Sequence, residues 1–228
     1  MFVEVARPRK SHLPWATIAI ITLCVIVFLW LASIPAETRV ALLRRWGTVP
    51  TNLFDHHLPG LHDLLDLRLT RLFTALFIHV DWLHLTGNLL FLMIFGLSAE
   101  RVLGSSRFLF LFLIGGALAN LIGALTLPGV NTPIVGSSGA VSAIVGAYFA
   151  LFPRARLGLV LPLGLFLEFV RIPAAVLIGF WIALQFLFMF VGPEFGAVAW
   201  WTHIAGFAIG IAFALISRGA IARRLRNF

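Results

Sequence analysis

The chain has 228 residues, of which 61% are hydrophobic and 11% are charged, and its formal net charge is +8. A soluble domain of this length does not need so many apolar residues to fill its core, so the composition excludes an ordinary soluble protein and indicates a polytopic membrane protein. The positive charge could suggest a nucleic-acid partner. No basic patch is interleaved with aromatic residues, however, so we expect no nucleic acid among the partners.

Five stretches without Asp, Glu, Lys or Arg mark the membrane segments. They cover residues 13–36, 83–99, 108–152, 172–193 and 195–217. One helical crossing takes about 20 residues, so the stretch 108–152 is long enough for two crossings, separated by the turn formers from Pro128 to Pro133. The sequence therefore predicts an all-α bundle with six spans in a membrane domain of residues 13–217. The predicted spans cover about 13–34, 83–103, 107–127, 138–152, 172–191 and 199–217.

The distribution of Lys and Arg predicts the orientation. Of the 17 basic residues, 12 lie on one side of the predicted spans and five lie in the first loop on the other side. Cytoplasmic flanks carry the excess of Lys and Arg, so both termini are expected in the cytoplasm: a basic segment 1–12 and a basic tail 218–228 that meets anionic lipid headgroups. The first apolar run is too long for a cleaved signal peptide, and a compact chain without transit-peptide character suggests the inner membrane of a prokaryotic cell.

Two segments between the spans have their own patterns. The first loop, residues 35–82, is too long for a bare connection, and Leu61–Leu69 mixes apolar and charged residues as an amphipathic interfacial segment does. The second segment, Leu157–Leu167, is apolar but too short to cross the membrane and contains Pro162, which predicts a cytoplasmic loop.

The first candidate for chemistry is Ser138 in Gly136-Ser137-Ser138-Gly139, at the start of the fourth span. The first N–H groups of a helix lack partners and carry partial positive charge, so a serine there lies beside donors that could stabilise an oxyanion. The alternative is a helix cap, because serine is a favoured capping residue. The motif alone favours the cap.

His203 lies near the outer end of the sixth span, at the same depth as Ser138 at the start of the fourth span. The pair favours a catalytic role for Ser138 over a helix cap. Small residues form matching rows on the two helices: Ser142 and Gly146 on span four, and Gly206 and Gly210 on span six. Such rows allow two backbones to approach closely, which a hydrogen bond between Ser138 and His203 requires.

His79, His84 and Asn88 lie at the entry to the second span. His84 and Asn88 are four residues apart and share one face of a helix, whereas His79 precedes the regular helix. A neutral imidazole and an amide aimed at Ser138 would complete an oxyanion hole with its backbone N–H. The alternative is that His84 only hydrogen-bonds a neighbouring helix.

In this order and on these spans, the residues resemble a rhomboid intramembrane serine protease. The matching patterns are His-x4-His-x3-Asn from His79 to Asn88, Gly-x-Ser-Gly from Gly136 to Gly139, and His-x-x-Gly-x-x-x-Gly from His203 to Gly210. The resemblance implies that Ser138 is the nucleophile and His203 its general base. His84, Asn88 and the Ser138 amide would hold the oxyanion, and His79 would support the surrounding loop.

The resemblance also implies the partners. Members of the rhomboid family cut transmembrane segments of other proteins near the membrane surface, through a site open to the extracytoplasmic side. They need no metal and no cofactor. Glu100 and Gly104 match a structural Glu-x3-Gly of the family, and Arg71 matches an arginine of its first loop. Two positions depart from the pattern: Ser142 and Thr70 stand where the family usually has aromatic residues. We therefore expect His203 to be oriented by the closer helix contact that Ser142 allows.

Three other functions compete with a serine protease. A zinc protease would need a pattern such as His-Glu-x-x-His, which is absent. A transporter or channel would use intramembrane Asp, Glu or Arg as a pathway, and the predicted spans lack such a relay. An inactive rhomboid-like protein that binds membrane clients is the stronger rival, although such proteins usually lack the serine or the histidine.

Overall fold

The computed structural model describes residues 13–53, 67–163, 166–191 and 200–226. The helices are α1 (Trp15–Ser33), α2 (Ala36–Trp46), α3 (Leu67–Thr74), α4 (Trp82–Phe91), α5 (Leu97–Leu103), α6 (Ser105–Phe110), α7 (Gly116–Leu125), α8 (Ser138–Leu151), α9 (Ala174–Val191) and α10 (Trp200–Arg226). Single turns of 3₁₀-helix lie at Pro50–Asn52 and Ala75–Phe77. Short π-helical segments, Leu92–Gly96 and Leu111–Gly115, join α4 to α5 and α6 to α7.

Four helices in the described part of the chain are long and apolar enough to cross a membrane. They are Trp15–Ser33, Trp82–Leu103, Ser105–Leu125 and Trp200–Arg224. The fold is thus a predominantly helical membrane bundle, while the six predicted crossings stay a prediction because α8 and α9 provide shorter apolar helices. Helix α10 runs on to Arg226, past the predicted end of the sixth span at residue 217.

Helix α8 lies at the centre of the bundle. Every residue from Gly139 to Tyr148 is buried. With 14 residues at a rise of about 1.5 Å each, the helix is roughly 21 Å long. It is therefore shorter than a hydrocarbon core about 30 Å thick. Its neighbours shield it from lipid, so α8 does not need the length of a lipid-facing helix.

The outer surface of the bundle is apolar. Among the exposed large side chains are Ile26 on α1, Leu83 on α4 and Ile216 on α10, and Ile216 is 85% exposed. A soluble protein would bury such residues, whereas lipid tails solvate them. The described bundle therefore has the surface of a protein embedded in a bilayer.

Helices α8 and α10 pack closely against each other in the site region. The two helices are parallel, since Gly206 faces Gly139 and Gly210 faces Ala143. A Cβ atom at Gly206 would overlap the carbonyl oxygen of Gly139, and one at Gly210 would overlap that of Ala143. A Cβ at Gly146 would likewise overlap the carbonyl of Phe207 on α10. The predicted small-residue rows lie in this contact, where backbone meets backbone.

Glu100, which is 2% exposed, ties α1 to the second membrane helix. Its carboxylate accepts hydrogen bonds from the backbone N–H groups of Ala16 and Thr17, at 2.9 and 2.7 Å, and from the Thr17 hydroxyl at 2.6 Å. The Ser105 hydroxyl donates to the same group at 2.6 Å. The acidic side chain thus lies at the N-terminus of α1, where orphan N–H groups and the helix dipole favour it.

The turn after Glu100 depends on Gly104, which has a positive φ of 84° and links α5 to α6. The guanidinium of Arg224 on α10 lies where a side chain at Gly104 would extend, 2.8 Å from the position of a Cβ atom. Arg224 donates to the carbonyl groups of Arg101 and Val102 at 3.2 and 3.1 Å. The C-terminal end of α10 therefore supplies donors to the carbonyl groups at the end of α5.

The all-α prediction is wrong for residues 156–173. The predicted loop at Leu157–Leu167 is instead part of an antiparallel hairpin of β1 (Arg156–Leu163) and β2 (Phe166–Pro173). Eleven apolar residues cannot cross a bilayer, but they can satisfy their backbone groups by pairing with the next strand. The shortness of the segment and its Pro162 predict a loop, because neither signal reports pairing with a strand later in the chain.

The first loop is partly described. It contains α2, α3 and the two 3₁₀ turns, and Thr48 forms an isolated β-bridge with Ile134. Residues 61–66 of the predicted amphipathic segment Leu61–Leu69 lie outside the described residues. Its last three residues belong to α3, which begins at Leu67. The predicted basic segment 1–12 also lies outside the described residues.

Substituting Gly210 by alanine is expected to destabilise the bundle by about 1–3 kcal/mol, the usual cost of overpacking, because the added methyl overlaps the Ala143 carbonyl. The measurement is thermal or denaturant unfolding in detergent. Gly219→Ala on the same helix is the matched control, since nothing lies within 4 Å of its Cβ position. The control should be neutral or slightly stabilising. Equal stability of the two variants would contradict the packing account.

Candidate active site

The segment before α8 is shaped by Gly136. Its φ is 108°, a left-handed backbone conformation that favours glycine, and its N–H donates to the carbonyl of Ala75 at 2.9 Å. A Cβ atom here would lie 2.5 Å from the imidazole of His84. Any side chain at this position would therefore displace the His84 ring as well as strain the backbone. Gly136 lets α8 begin directly against the second membrane helix.

Ser138 is the first residue of α8, and its hydroxyl contacts an imidazole from α10. The Oγ of Ser138 lies 2.9 Å from Nε2 of His203. Both side chains are half-buried. Gly139 packs on Thr202, whose methyl carbon lies 2.7 Å from the position of a glycine Cβ, so the first turns of α8 and α10 are in direct contact. The structure thus brings together the two residues that sequence analysis paired.

The other ring nitrogen of His203 also has a partner. Its Nδ1 lies 2.7 Å from Oε1 of Gln185 on α9. The indole rings of Trp181 and Trp200 lie 6.3 and 6.0 Å from the imidazole, measured between ring centroids. Three helices therefore meet at this imidazole: α10 carries it, α8 provides Ser138, and α9 provides Gln185.

The entry to the second membrane helix carries His84 and Asn88. Asp81 caps α4, because its carboxylate accepts from the His84 N–H at 2.7 Å. The Asn88 side chain is 7% exposed, and its Nδ2 donates to the His84 carbonyl at 2.9 Å. An amide nitrogen has two donor hydrogens, so one remains for another acceptor.

His79 lies in the turn before α4 and contacts the other end of the site. It is 1% exposed, and its Nε2 accepts from the Ser137 N–H at 3.4 Å and lies 3.3 Å from the Ser137 hydroxyl. Its ring packs edge-on against His84, with 5.1 Å between centroids. Burial, and then repulsion from His84, lowers the pKa of His79 to about 3. His79 is therefore neutral near pH 7 and fixes the segment that precedes Ser138.

A cavity of about 560 Å³ connects these groups. It is lined by Ser138, Ser142, His203, His84 and Asn88, together with Asp81, Thr132, Trp181 and Thr202. Ser142 donates to the Ser138 carbonyl at 2.7 Å, so its hydroxyl is bonded within α8. Arg71, Glu100 and Gly104 do not belong to the described lining. The carbonyl of Arg71 accepts from the Thr48 hydroxyl at 3.1 Å in the first loop.

Sequence analysis missed Gln185 and Asp81. Gln185 is the only glutamine of the chain and lies within an uncharged apolar stretch. A polar side chain at that depth needs a partner, and that signal was present in the sequence. Asp81 stands three residues before His84, the spacing of an N-cap, which also could have been read.

Comparisons with known proteins agree on one family. A family model for the rhomboid domain matches residues 66–219, a range that includes every residue of the site. The chain is 26% identical over 201 residues to the rhomboid protease GlpG of Haemophilus influenzae, and the match covers 88% of this chain and 89% of that protein. It is 33% identical over 170 residues to the mitochondrial RHOMBOID-like protein 12 of Arabidopsis thaliana, covering 67% of this chain and 48% of that protein.

A third relative carries a different functional name. The chain is 34% identical over 84 residues to inactive rhomboid protein 1 of Drosophila melanogaster, covering 37% of this chain and 6% of that protein. The chain spans less than half the length of the two Arabidopsis relatives that it matches. Relatives with and without protease names therefore share this domain.

The depressed pKa of His79 predicts how stability depends on pH. An unfolded histidine titrates near 6.5, so between about pH 6.5 and pH 3 the unfolded state binds a proton that the folded state excludes. Stability should fall as the pH drops through this window, and His79 alone should account for about 1–2 kcal/mol of the loss between pH 7 and pH 5. We expect His79→Asn to lose less stability on acidification than the unmodified protein. The measurement is the denaturant midpoint of unfolding at pH 7 and at pH 5. An equal decrease of this midpoint in the two proteins would contradict the prediction.

Proposed function

The chain belongs to the rhomboid family, and from that premise we propose that it is an intramembrane serine endopeptidase. Its substrates are transmembrane proteins, which it cuts in or near their membrane segments. The observation that carries the proposal is the 2.9 Å contact between Ser138 Oγ and His203 Nε2 at the edge of a cavity inside a membrane bundle. The distance lies within the range expected for a nucleophile and its general base.

The proposed reaction has two stages. His203 Nε2 takes the Ser138 proton as Oγ attacks the carbonyl carbon of the peptide bond, and it then gives that proton to the leaving amine as the C–N bond breaks. The substrate's acyl group remains on Ser138. A water molecule, deprotonated by His203, hydrolyses this ester, and Ser138 recovers its proton. Atoms and charge balance with water as the only co-reactant.

The tetrahedral intermediate carries negative charge on the former carbonyl oxygen, and three donors are available for it. The Ser138 N–H lies at the start of α8, where Ser137 provides no side-chain cap. Asn88 keeps one donor hydrogen beside its bond to the His84 carbonyl. The imidazole of His84 lines the same cavity. Donors fixed in place before the reaction are the most effective way to stabilise such an oxyanion.

The ends of two helices support the proposed location of the site. Ser138 and His203 lie on the first turns of α8 and α10, and Arg218, Arg223 and Arg224 lie near the opposite end of α10. Basic residues mark the cytoplasmic side, so the site faces the extracytoplasmic side of six spans whose termini are both cytoplasmic. We propose the inner membrane of a prokaryotic cell as the location of the protein.

An inactive rhomboid-like protein that binds membrane clients is the second candidate. The similarity to inactive rhomboid protein 1 favours it, because part of this domain occurs there under that name. The presence of both Ser138 and His203 in hydrogen-bond contact favours the protease. The two functions differ in whether Ser138 is nucleophilic, which can be measured without knowing any client.

A fluorophosphonate probe is expected to label the protein in detergent and to fail with Ser138→Ala, because the probe reacts only with an activated serine hydroxyl. Ser33→Ala is the matched control: this exposed serine hydroxyl of α1 is bonded to the Trp30 carbonyl away from the cavity, so its loss should leave labelling in place. Gel fluorescence and intact mass provide the measurement. No labelling of a folded unmodified protein, or equal labelling of Ser138→Ala, would favour the client-binding function.

A further inference from the structure

A neutral side chain contacts the His203 imidazole at Nδ1, the ring nitrogen that does not face Ser138. Gln185 on α9 is 6% exposed, and its Oε1 lies 2.7 Å from His203 Nδ1. The amide nitrogen of the same side chain donates to the Trp181 carbonyl one turn earlier, at 3.4 Å. That second bond directs the amide so that its oxygen, which can only accept, faces the imidazole.

We propose that Gln185 is the positioning residue of the site: it fixes the tautomer and the orientation of His203 so that Nε2 accepts the proton of Ser138. The inference rests on the proposed protease function. An acceptor at Nδ1 requires the ring proton to be on Nδ1, which leaves the lone pair on Nε2. Nε2 lies 2.9 Å from Ser138 Oγ, so the lone pair is directed at the hydroxyl that must lose its proton.

No other described residue makes a hydrogen bond to Nδ1 of His203. The rings of Trp181 and Trp200 are tilted by 38° and 80° to the imidazole, with centroids 6.3 and 6.0 Å away, so neither stacks closely on it. Ser142 stands at the position where the family usually has an aromatic residue. Its hydroxyl donates to a carbonyl of its own helix and does not contact Nδ1 of His203. Gln185 therefore supplies the orientation that the sequence attributed to helix packing alone.

An amide differs from the carboxylate of a catalytic triad in its charge. A buried carboxylate would be costly in the resting bundle, where the proposed base is neutral. Gln185 costs no charge burial, but it also gives the protonated imidazole no ionic partner. It should therefore act through geometry and tautomer, and a carboxylate in its place should change the pH dependence.

The contact also connects a third helix to the chemistry. Ser138 and His203 belong to the packed pair α8 and α10, whereas Gln185 belongs to α9. The geometry of Ser138 and His203 therefore requires α9 to pack against α10 at the depth of Gln185.

The test compares the rate of fluorophosphonate labelling across pH in the full-length protein. Gln185→Met keeps the length of the side chain but removes the acceptor, and labelling should slow by about tenfold, the value of one well-placed hydrogen bond. Leu187→Met is the matched control, since Leu187 lies on the same helix and is 53% exposed. It should label at the unmodified rate. Unchanged labelling in Gln185→Met would overturn the proposal.

Gln185→Glu separates positioning from general packing. The carboxylate retains an acceptor and stabilises the protonated imidazole, so the acidic limb of the pH–rate profile should move to higher pH while activity persists above it. The other titratable side chains in the described lining are Asp81 and His84, and neither is changed by this substitution. A profile identical to that of the unmodified protein would contradict the proposal.

A third measurement decides the case if Gln185→Met does not fold. In protein labelled with ¹⁵N-histidine, the resonances that vanish in His203→Ala should show a neutral ring protonated at Nδ1. The Nε2-protonated tautomer would overturn the positioning role, whatever the labelling rates. Failure of the proposed function has a different signature: the folded unmodified protein would not label at Ser138, while the tautomer would still report on Gln185.

Discussion

The structure depends on one contact, the approach of the α8 and α10 backbones to a distance that leaves no room for side chains between them. Gly206 and Gly210 lie directly against carbonyl groups of α8, and Gly146 lies against α10. Lipid tails are as apolar as leucine, so close packing of this kind, rather than burial from water, holds membrane helices together. The same contact puts Ser138 and His203 within hydrogen-bond reach, so fold and site share one cause.

Around that contact, several buried polar groups are paired with another element. Glu100 accepts from the start of α1, the Asn120 amide donates to the Leu72 carbonyl at 3.1 Å, and Gln185 reaches across to His203. Each of these groups would be costly in lipid without its partner. Together they connect α1 to α5, α3 to α7 and α9 to α10. A separate contact, from His79 to Ser137, holds the turn before α4 against the start of α8.

The sequence predicted much of this arrangement because two of its signals are local. Charge-free stretches located the membrane helices, and the spacing of glycine and serine pointed to the facing surfaces of α8 and α10. Other features depend on partners distant in sequence. Length and Pro162 predict a loop at Leu157–Leu167, whereas residues 156–163 form a strand because they pair with residues 166–173. Gln185 is 18 residues from His203, and no spacing rule relates side chains on two different helices. Helix α10 continues to Arg226, beyond the predicted end of the sixth span at residue 217, because arginine is a good helix former and a helix can extend past the membrane.

The spacing of α8 and α10 sets the reactivity of Ser138, and the decisive measurement is the labelling rate of Gly206→Ala. The added methyl overlaps the Gly139 carbonyl on α8. Because Gly206 lies one turn after His203 on α10, this overlap should push α10 away from Ser138. In folded Gly206→Ala protein we expect Ser138 to react with a fluorophosphonate about tenfold more slowly or slower still, since small displacements of a catalytic group cost up to about a hundredfold in rate. Gly219→Ala should react at the unmodified rate. If folded Gly206→Ala protein reacts as fast as the unmodified protein, the spacing of α8 and α10 does not set the reactivity of Ser138.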